Sequence, residues 1–529
     1  MIQIDMHCSC VRQTDLPHTT RLAADVLYHP ERVASFYRHP VRDLASFQSA
    51  AGEIEFSAGQ RAALIGALEA NNPTGPSLRR LAEPGTAVVA TGQQVGLFGG
   101  PAYTIYKALH AAKLAQWLTG NGVPAVPVFW LATEDHDFAE INHVWVFDSQ
   151  QRPVKVETVR SAAAQPVGGV TLPSPPVEAL RAAMEGLPFC EETARLVEDC
   201  YAPGVAMGAG FGALLRRLLG EYDILQVDPM LPEFRQLAAP ALRRAIAAGA
   251  GLSNAVLQRG RDLAAAGYHA QVHVEEQTSF LFLLENGKRL ALRRQGDEYV
   301  LNGRKFTAGE LTDRAASLSP NAILRPVVQD SMLPTAAYIG GNAEIAYLAQ
   351  SAVIYDALLG RMPVAVPRSG FTIVDSRSCR LMERYGIGLP DFFHGEEALR
   401  QRIAEKLVPQ QVAVTLNETA AEMDGALERL RAEMAAFDPT LSRSLDRSAR
   451  KIRYQIEKTR RKAGREALAR DERAARDAAS LWGLICPERH LQERLYSILP
   501  FLAKHGHELV GQIYEAIDLS CADHRVVAL

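Results

Sequence analysis

Thr86-Ala-Val-Val-Ala-Thr-Gly-Gln-Gln-Val-Gly-Leu-Phe-Gly-Gly-Pro101 decides the fold. Its first five residues are a short apolar, β-branched run that predicts a strand, and a glycine-rich turn follows. From Ala102 to Leu118 apolar residues recur at helical spacing, Ile105, Leu109, Ala112 and Leu114 among them. Asn121-Gly122 punctuates the end, and Val123–Leu131 reads as a second buried strand. Strand, turn, helix and strand make a βαβ unit, whose crossover demands a parallel sheet and a right-handed connection.

A second such region lies late in the chain. Ile323–Val328 and Ala336–Gly340 read as strands, Asn342–Leu359 as a helix, and Val364–Val366 and Phe371–Val374 as further short strands. The predicted class is α/β, a doubly wound core interrupted by two insertions. The core takes residues 1–149, 201–255 and 316–390. A connecting insertion rich in proline and alanine takes 150–200. A small β-rich insertion takes 256–315, where Gln271-Val-His-Val, Ser279–Leu284, Lys288–Leu292 and Glu298–Leu301 alternate with period two. Asn286-Gly287 and Asn302-Gly303 are hairpin turns in the making.

Residues 391–482 turn helical and highly charged. Asp438-Pro439 divides them into two arms, and Leu445, Ala449, Ile452, Ile456, Thr459 and Ala463 follow coiled-coil spacing. The second arm is basic (Arg443, Arg447, Arg450, Lys451, Arg453, Lys458, Arg460, Arg461, Lys462, Arg465), while the first supplies Glu418, Glu422, Glu428 and Glu433. This pattern favours a salt-bridged antiparallel hairpin over a nucleic-acid surface. Residues 483–529 are expected to pack back on the core.

A chain of 529 residues with net charge −3 demands neither nucleic acid nor an anionic membrane as partner. It carries no long apolar span and no basic-then-apolar start after Met1-Ile-Gln-Ile-Asp, so the cytoplasm is the expected location. Its seven cysteines form no disulfide framework, and Cys8 with Cys10 lacks the second pair that a metal site needs.

Chemistry concentrates at strand ends. Thr91–Pro101 opens a helix, where free N–H groups suit a phosphate or carboxylate, and Gln93 and Gln94 add uncharged donors. Glu134, Asp135 and Asp137 surround His136 where the second strand ends, a negative patch suited to proton transfer or to holding an ammonium group. The bland alternative is a solvated acidic turn. Tyr338-Ile-Gly-Gly-Asn-Ala-Glu-Ile-Ala-Tyr places Asn342 as an N-cap and Glu344 in the first turn, with Tyr347 one turn on. Arg325, Gln329 and Asp330, ending a neighbouring strand, would face the same crevice.

Together, Thr91-Gly-Gln-Gln…Gly-Gly-Pro…Tyr103-Thr-Ile-Tyr-Lys107, Pro127-Val-Phe-Trp…Glu134-Asp-His-Asp-Phe…Glu140-Ile-Asn-His, Gly267-Tyr268 with Gln271-Val272, Gly340-Gly-Asn-Ala-Glu-Ile-Ala-Tyr and Leu491-Gln-Glu-Arg resemble the cysteine ligase family of bacillithiol synthesis. The resemblance spans nearly the whole chain. It implies a Rossmann-like core with two insertions and a dimerising coiled coil. It also implies an activity that joins cysteine to the amine of glucosaminyl malate.

On that reading His136, Asp137, Glu134 and Asp135 are catalytic. Thr91, Gly92, Gln93, Gln94, Gly99, Tyr103, Lys107, Asn342, Glu344 and Tyr347 bind substrate. Relatives often carry threonine where Gly99 stands. ATP or ADP is the implied cofactor, with magnesium only as its companion and no metal site of the protein's own. The nucleotide seat is assigned to Glu383, Arg384, Tyr385, Gly386, Leu491, Gln492 and Arg494. A homodimer and no membrane partner are expected. The alternatives are an RNA-binding protein using the basic arm and a metal-dependent hydrolase using His136 and His143.

Overall fold

The computed structural model describes residues 8–159 and 164–529. The start of the chain, the side chain of Cys8, part of the first insertion and the side chain of Arg443 lie outside the described residues.

Five parallel strands form the core: β1 (Ala87–Gln93), β2 (Ala125–Leu131), β3 (Leu225–Val227), β4 (Thr335–Gly340) and β5 (Val364–Pro367). Their order is β5-β4-β1-β2-β3. The chain first builds outward from β1 to β3, then returns to β1's other side for β4 and β5. That reversal is the topological switch point of a Rossmann-like sheet, and ligands bind outside the strand ends there.

Period-two alternation places the two layers. Val88, Ala90, Val126, Val128 and Trp130 face α2 (Pro232–Ala265) and α3 (Asn342–Leu358). Val89, Ala125, Ala337 and Ile339 face α1 (Tyr103–Gly120). Apolar residues on both faces are what a covered parallel sheet requires.

Residues 323–328 are not a strand. Helix Arg325–Met332 occupies this stretch, with Pro326 in its first turn and Asn321 Oδ1 accepting the N–H groups of Ile323 and Leu324. The place beside β4 is taken by β5, so Arg325, Gln329 and Asp330 are helical. Strand Phe371–Val374 leaves the core as well. It joins a separate sheet in the order Cys8–Val11, His524–Ala528, Phe371–Val374.

The β-rich insertion is a five-stranded antiparallel sheet of Arg304–Thr307, Glu298–Leu301, Lys288–Gln295, Thr278–Glu285 and Leu318–Pro320. Asn286, Gly287, Asn302 and Gly303 all have positive φ, as the tight turns require. Residues 271–274 stay irregular because Gln350 takes the Val272 N–H and C=O, the groups a ladder would use. Residues 256–265 belong to α2, not to this sheet.

Helices Gln410–Phe437 and Pro439–Arg470 form the charged hairpin, hinged where Asp438 accepts the Thr440 N–H. Across the arms Arg453 meets Asp424 at 2.6 Å and Arg431 meets Asp446 at 3.5 Å. The cross-arm acids are thus aspartates, and Glu428 pairs with Arg431 on its own helix. No helix among the described residues is long and apolar enough to cross a membrane.

Candidate active site

At the switch point the ends of β1 and β4 open a cleft of about 520 Å³. The extended backbone sends consecutive glutamines opposite ways. Gln93 turns to Tyr103, donating to its hydroxyl at 3.2 Å. Gln94 turns to the acidic loop, donating to Asp135 at 2.7 Å and Glu140 at 2.8 Å.

Beneath the floor, the Lys107 ammonium is buried against Glu344 at 2.6 Å and Gln93 at 3.2 Å, and it also donates to the Gly92 carbonyl. Burial pushes the Lys107 ammonium down, against the pull of Glu344. Burial also pushes the Glu344 carboxyl up, but Lys107, the Gly341 N–H at 2.8 Å and the Tyr338 hydroxyl at 2.8 Å outweigh it and keep Glu344 ionised. Arg325 fastens the Tyr338 and Tyr347 hydroxyls at 3.0 and 3.1 Å.

The acidic wall is built from further away. Glu134 is buried, and its Oε2 accepts from Ser319 at 2.7 Å with Arg235 at 3.5 Å. Its Oε1 has no hydrogen-bond partner among the described residues, although the residue lines the cleft. A buried carboxylate oxygen left open is costly unless a ligand fills it. Arg289 comes from the antiparallel sheet, stacks on Phe282 at 3.9 Å, and donates to Ser319 and the Pro320 carbonyl. It also reaches His136 Nδ1 at 3.2 Å and lies 3.6 Å from Asp135. Desolvation pushes the Asp135 carboxyl up, but the hydrogen bonds from Gln94 and the His136 N–H, with Arg289 beside them, hold it below its ordinary value.

The opposite wall is basic. Arg368 makes a two-pronged pair with buried Glu493, at 2.6 and 3.0 Å, and lies over the Tyr103 ring. Arg494 is exposed, also flanks that ring, and has no hydrogen-bond or ion-pair partner on its guanidinium among the described residues. One wall therefore suits an ammonium group and the other a carboxylate.

Residues 6–369 match the family model described as "Bacillithiol biosynthesis BshC, N-terminal Rossmann-like domain", and 371–529 match its C-terminal coiled-coil domain. A relative from Solibacter usitatus is 66% identical over 99% of this chain and 100% of its own length. Others from Koribacter versatilis and Symbiobacterium thermophilum are 35% and 32% identical, covering 98% and 94% of this chain and 99% and 96% of theirs. All three carry the name "Putative cysteine ligase BshC".

The chain belongs to the BshC family.

In this BshC-family chain the cleft gathers Gly92, Gln93, Gln94, Tyr103, Glu134, Asp135, Asn342, Glu344, Tyr347 and Arg494 from the residues the sequence singled out. Others lie elsewhere. Thr91 is fully buried and its hydroxyl donates to the Ile339 carbonyl, fastening β1 to β4. Gly99 belongs to a turn packed into the core: it has φ +93, its N–H bonds to Gly96, and Phe98 beside it meets Tyr201. The Gly96, Gly100 and Ala102 N–H groups are likewise satisfied by carbonyls, which leaves none of these free to hold an anion. Gly92 is required by close packing, since a Cβ would sit 2.8 Å from the Trp130 carbonyl.

Asp137 is exposed at the start of a short helix and does not line the cleft. Asn342 is the first helical residue, and the N-cap is Gly341, whose N–H Glu344 holds. His143 contacts Asn142, apart from His136 and its arginine partner.

The residues given to a nucleotide do not converge. Gln492 clamps the Ile373 and Leu484 backbones, Tyr385 is buried against Asp477, and Gly386 ends a helix in left-handed conformation. Glu383 and Arg384 are exposed on that helix, and Leu491 borders only a 30 Å³ cavity beside Arg494. These side chains do not line one common cavity in the structure.

Sequence reasoning missed Arg289, Arg235, Arg368 and Glu493. Leu491-Gln-Glu-Arg494 was the one available signal for the last of these, and it named the neighbours.

Proposed function

We propose that this protein joins the carboxyl group of cysteine to the amine of glucosaminyl malate, yielding bacillithiol, with ATP as the activating co-substrate. The observation that carries the reading is the unpartnered Oε1 of buried Glu134, placed in one cleft with the uncommitted guanidinium of Arg494. The acceptor carries an amine to be deprotonated and a malyl group with two carboxylates. A cleft acidic on one side and basic on the other complements that distribution.

Glu134 Oε1 and Asp135 would hold the amine as its ammonium and take its proton before attack. His136 is less suited to that role. The guanidinium of Arg289 has only hydrogens to offer, so Nδ1 accepts and Nε2 keeps the ring's proton. His136 and Arg289 then position the Glu134–Asp135 loop. Arg494, assisted by Tyr103, would take the malyl carboxylates. Tyr347, Asn342 and Gln93, which line the cleft, would bond sugar hydroxyls.

An unactivated carboxylate does not form an amide in water, so the cysteine carboxyl would need the nucleotide to activate it. A dimer through the coiled coil accords with Val412, Val414, Leu430, Phe437 and Tyr454, large exposed apolar residues all on the hairpin.

Purified protein with cysteine, glucosaminyl malate and ATP, followed by mass spectrometry, tests the reading. Bacillithiol appearing with AMP or ADP supports it and names the activation route. Absence of product from folded protein overturns it.

A further inference from the structure

Cys10 and Cys521 are 511 positions apart, and their Sγ atoms lie 3.9 Å from each other. Ordered backbone holds both. Cys10 sits on strand Cys8–Val11, opposite Arg525 on strand His524–Ala528. Cys521 lies in the turn entering that strand, its N–H bonded to the Asp518 carbonyl. Asp518 in turn accepts from Ser520 and pairs with Arg525 at 2.8 Å. Among the described residues these are the one pair of cysteine sulfurs within hydrogen-bond reach, Cys190, Cys200, Cys379 and Cys486 standing apart.

Access differs between the two thiols. Cys10 is exposed, whereas Cys521 is half-buried and lines a second cavity of about 400 Å³. That cavity lies behind the cleft, between α1 and the C-terminal segment, with Phe47, Trp117, Arg42 and Asp523 in its wall. It has room, apolar surface and charged groups of both signs for a small zwitterionic molecule.

We propose that Cys10 and Cys521 form a thiol–disulfide exchange site that takes a low-molecular-weight disulfide and closes to an internal disulfide. The Cys10 thiolate attacks one sulfur of the disulfide. A Cys10–small-thiol bond forms as the small molecule's S–S bond breaks, and one small thiolate leaves and is protonated. The Cys521 thiolate then attacks Cys10 Sγ, forming the Cys10–Cys521 bond and releasing the second small thiol. Two protein thiols are oxidised while one disulfide is reduced to two thiols, so electrons and protons balance.

Closing needs the sulfurs to approach from 3.9 Å to about 2.0 Å, within the reach of side-chain rotation and small shifts at the strand and turn. Desolvation, followed by the hydrogen shared with Cys521, holds the Cys10 thiol above its ordinary value, so exchange quickens as pH rises. The site stands on this geometry whether or not the proposed ligation holds. If it holds, the reaction's own product, once oxidised in use, is a disulfide of the required class.

Reduced full-length protein incubated with oxidised glutathione tests the proposal. The expected result is an intact mass lower by two hydrogens, with a non-reducing peptide map joining Cys10 to Cys521 and reversal by dithiothreitol. Cys521→Ser should stop at a stable glutathione adduct on Cys10, and Cys10→Ser should form no internal link. Melting of both variants alongside reduced wild type establishes that they fold. Seven free thiols retained in the wild type, a persistent adduct on its Cys10, or a link between other cysteines would overturn the proposal.

Discussion

Lys107 and Glu344, 237 positions apart, meet at 2.6 Å beneath the floor of the cleft and join the helix after β1 to the helix after β4. Lys107→Met leaves the Glu344 carboxylate without its cation, and Glu344→Gln leaves a buried ammonium with carbonyl partners only. Each single change should cost about 3–5 kcal/mol in denaturant unfolding, and the double variant less than the sum. Strict additivity would show that the pair is not coupled.

Glu134→Gln preserves shape and the bond from Ser319 but removes the carboxylate charge that faces buried Arg235 as well as the cleft. Turnover should fall at least about 100-fold in protein that still folds, with a lower melting temperature because Arg235 loses its counter-charge. Near-normal turnover would sink the role given to Glu134. Under the same assay His136→Gln should be milder, because its loss is felt through the loop.

Glu493 and Arg494 are adjacent, yet their substitutions should differ in kind. Arg494→Ala removes an exposed, uncommitted guanidinium, so KM for the carboxylate-bearing acceptor should rise roughly 10-fold or more while the fold holds. Arg368→Ala strands the buried Glu493 carboxylate, and soluble yield and unfolding midpoint should drop. Equal KM in the Arg494 variant and wild type would remove the carboxylate assignment.

Burial holds His110 and His505 neutral until about pH 4 and pushes His524 down as well. Unfolded, such groups take a proton near pH 6.5. Between those values the unfolded chain binds more protons, so stability is full above pH 6.5 and falls as pH drops toward 4. For His110 the loss approaches roughly 3 kcal/mol. His110→Asn keeps an acceptor for the Ser369 N–H and should flatten that part of a melting-temperature series. An unchanged slope would mean that His110 titrates normally.

The sequence announced what depends on short-range pattern. The β1–α1–β2 unit follows from runs of Val and Ala, and the Asn-Gly turns from their need for positive φ. The helical hairpin follows from its spacing. Residues 323–328 misled because an apolar run flanking a proline reads equally as strand or helix start, and only occupancy of the sheet position by β5 decides. In the glycine-rich turn, composition could not tell a ligand's approach from the press of Trp130 and Leu214. Arg289 and Arg368 were invisible for another reason. Each owes its role to partners more than a hundred positions away, His136 and Glu493, and no local rule connects them.

The basic wall has a bearing on how the protein is made. Gly92 emerges from the ribosome about four hundred residues ahead of Glu493 and Arg494. Arg368 in turn is made 125 residues ahead of Glu493, the buried carboxylate it pairs with. The proposed site therefore cannot be complete before Glu493 and Arg494 are in place.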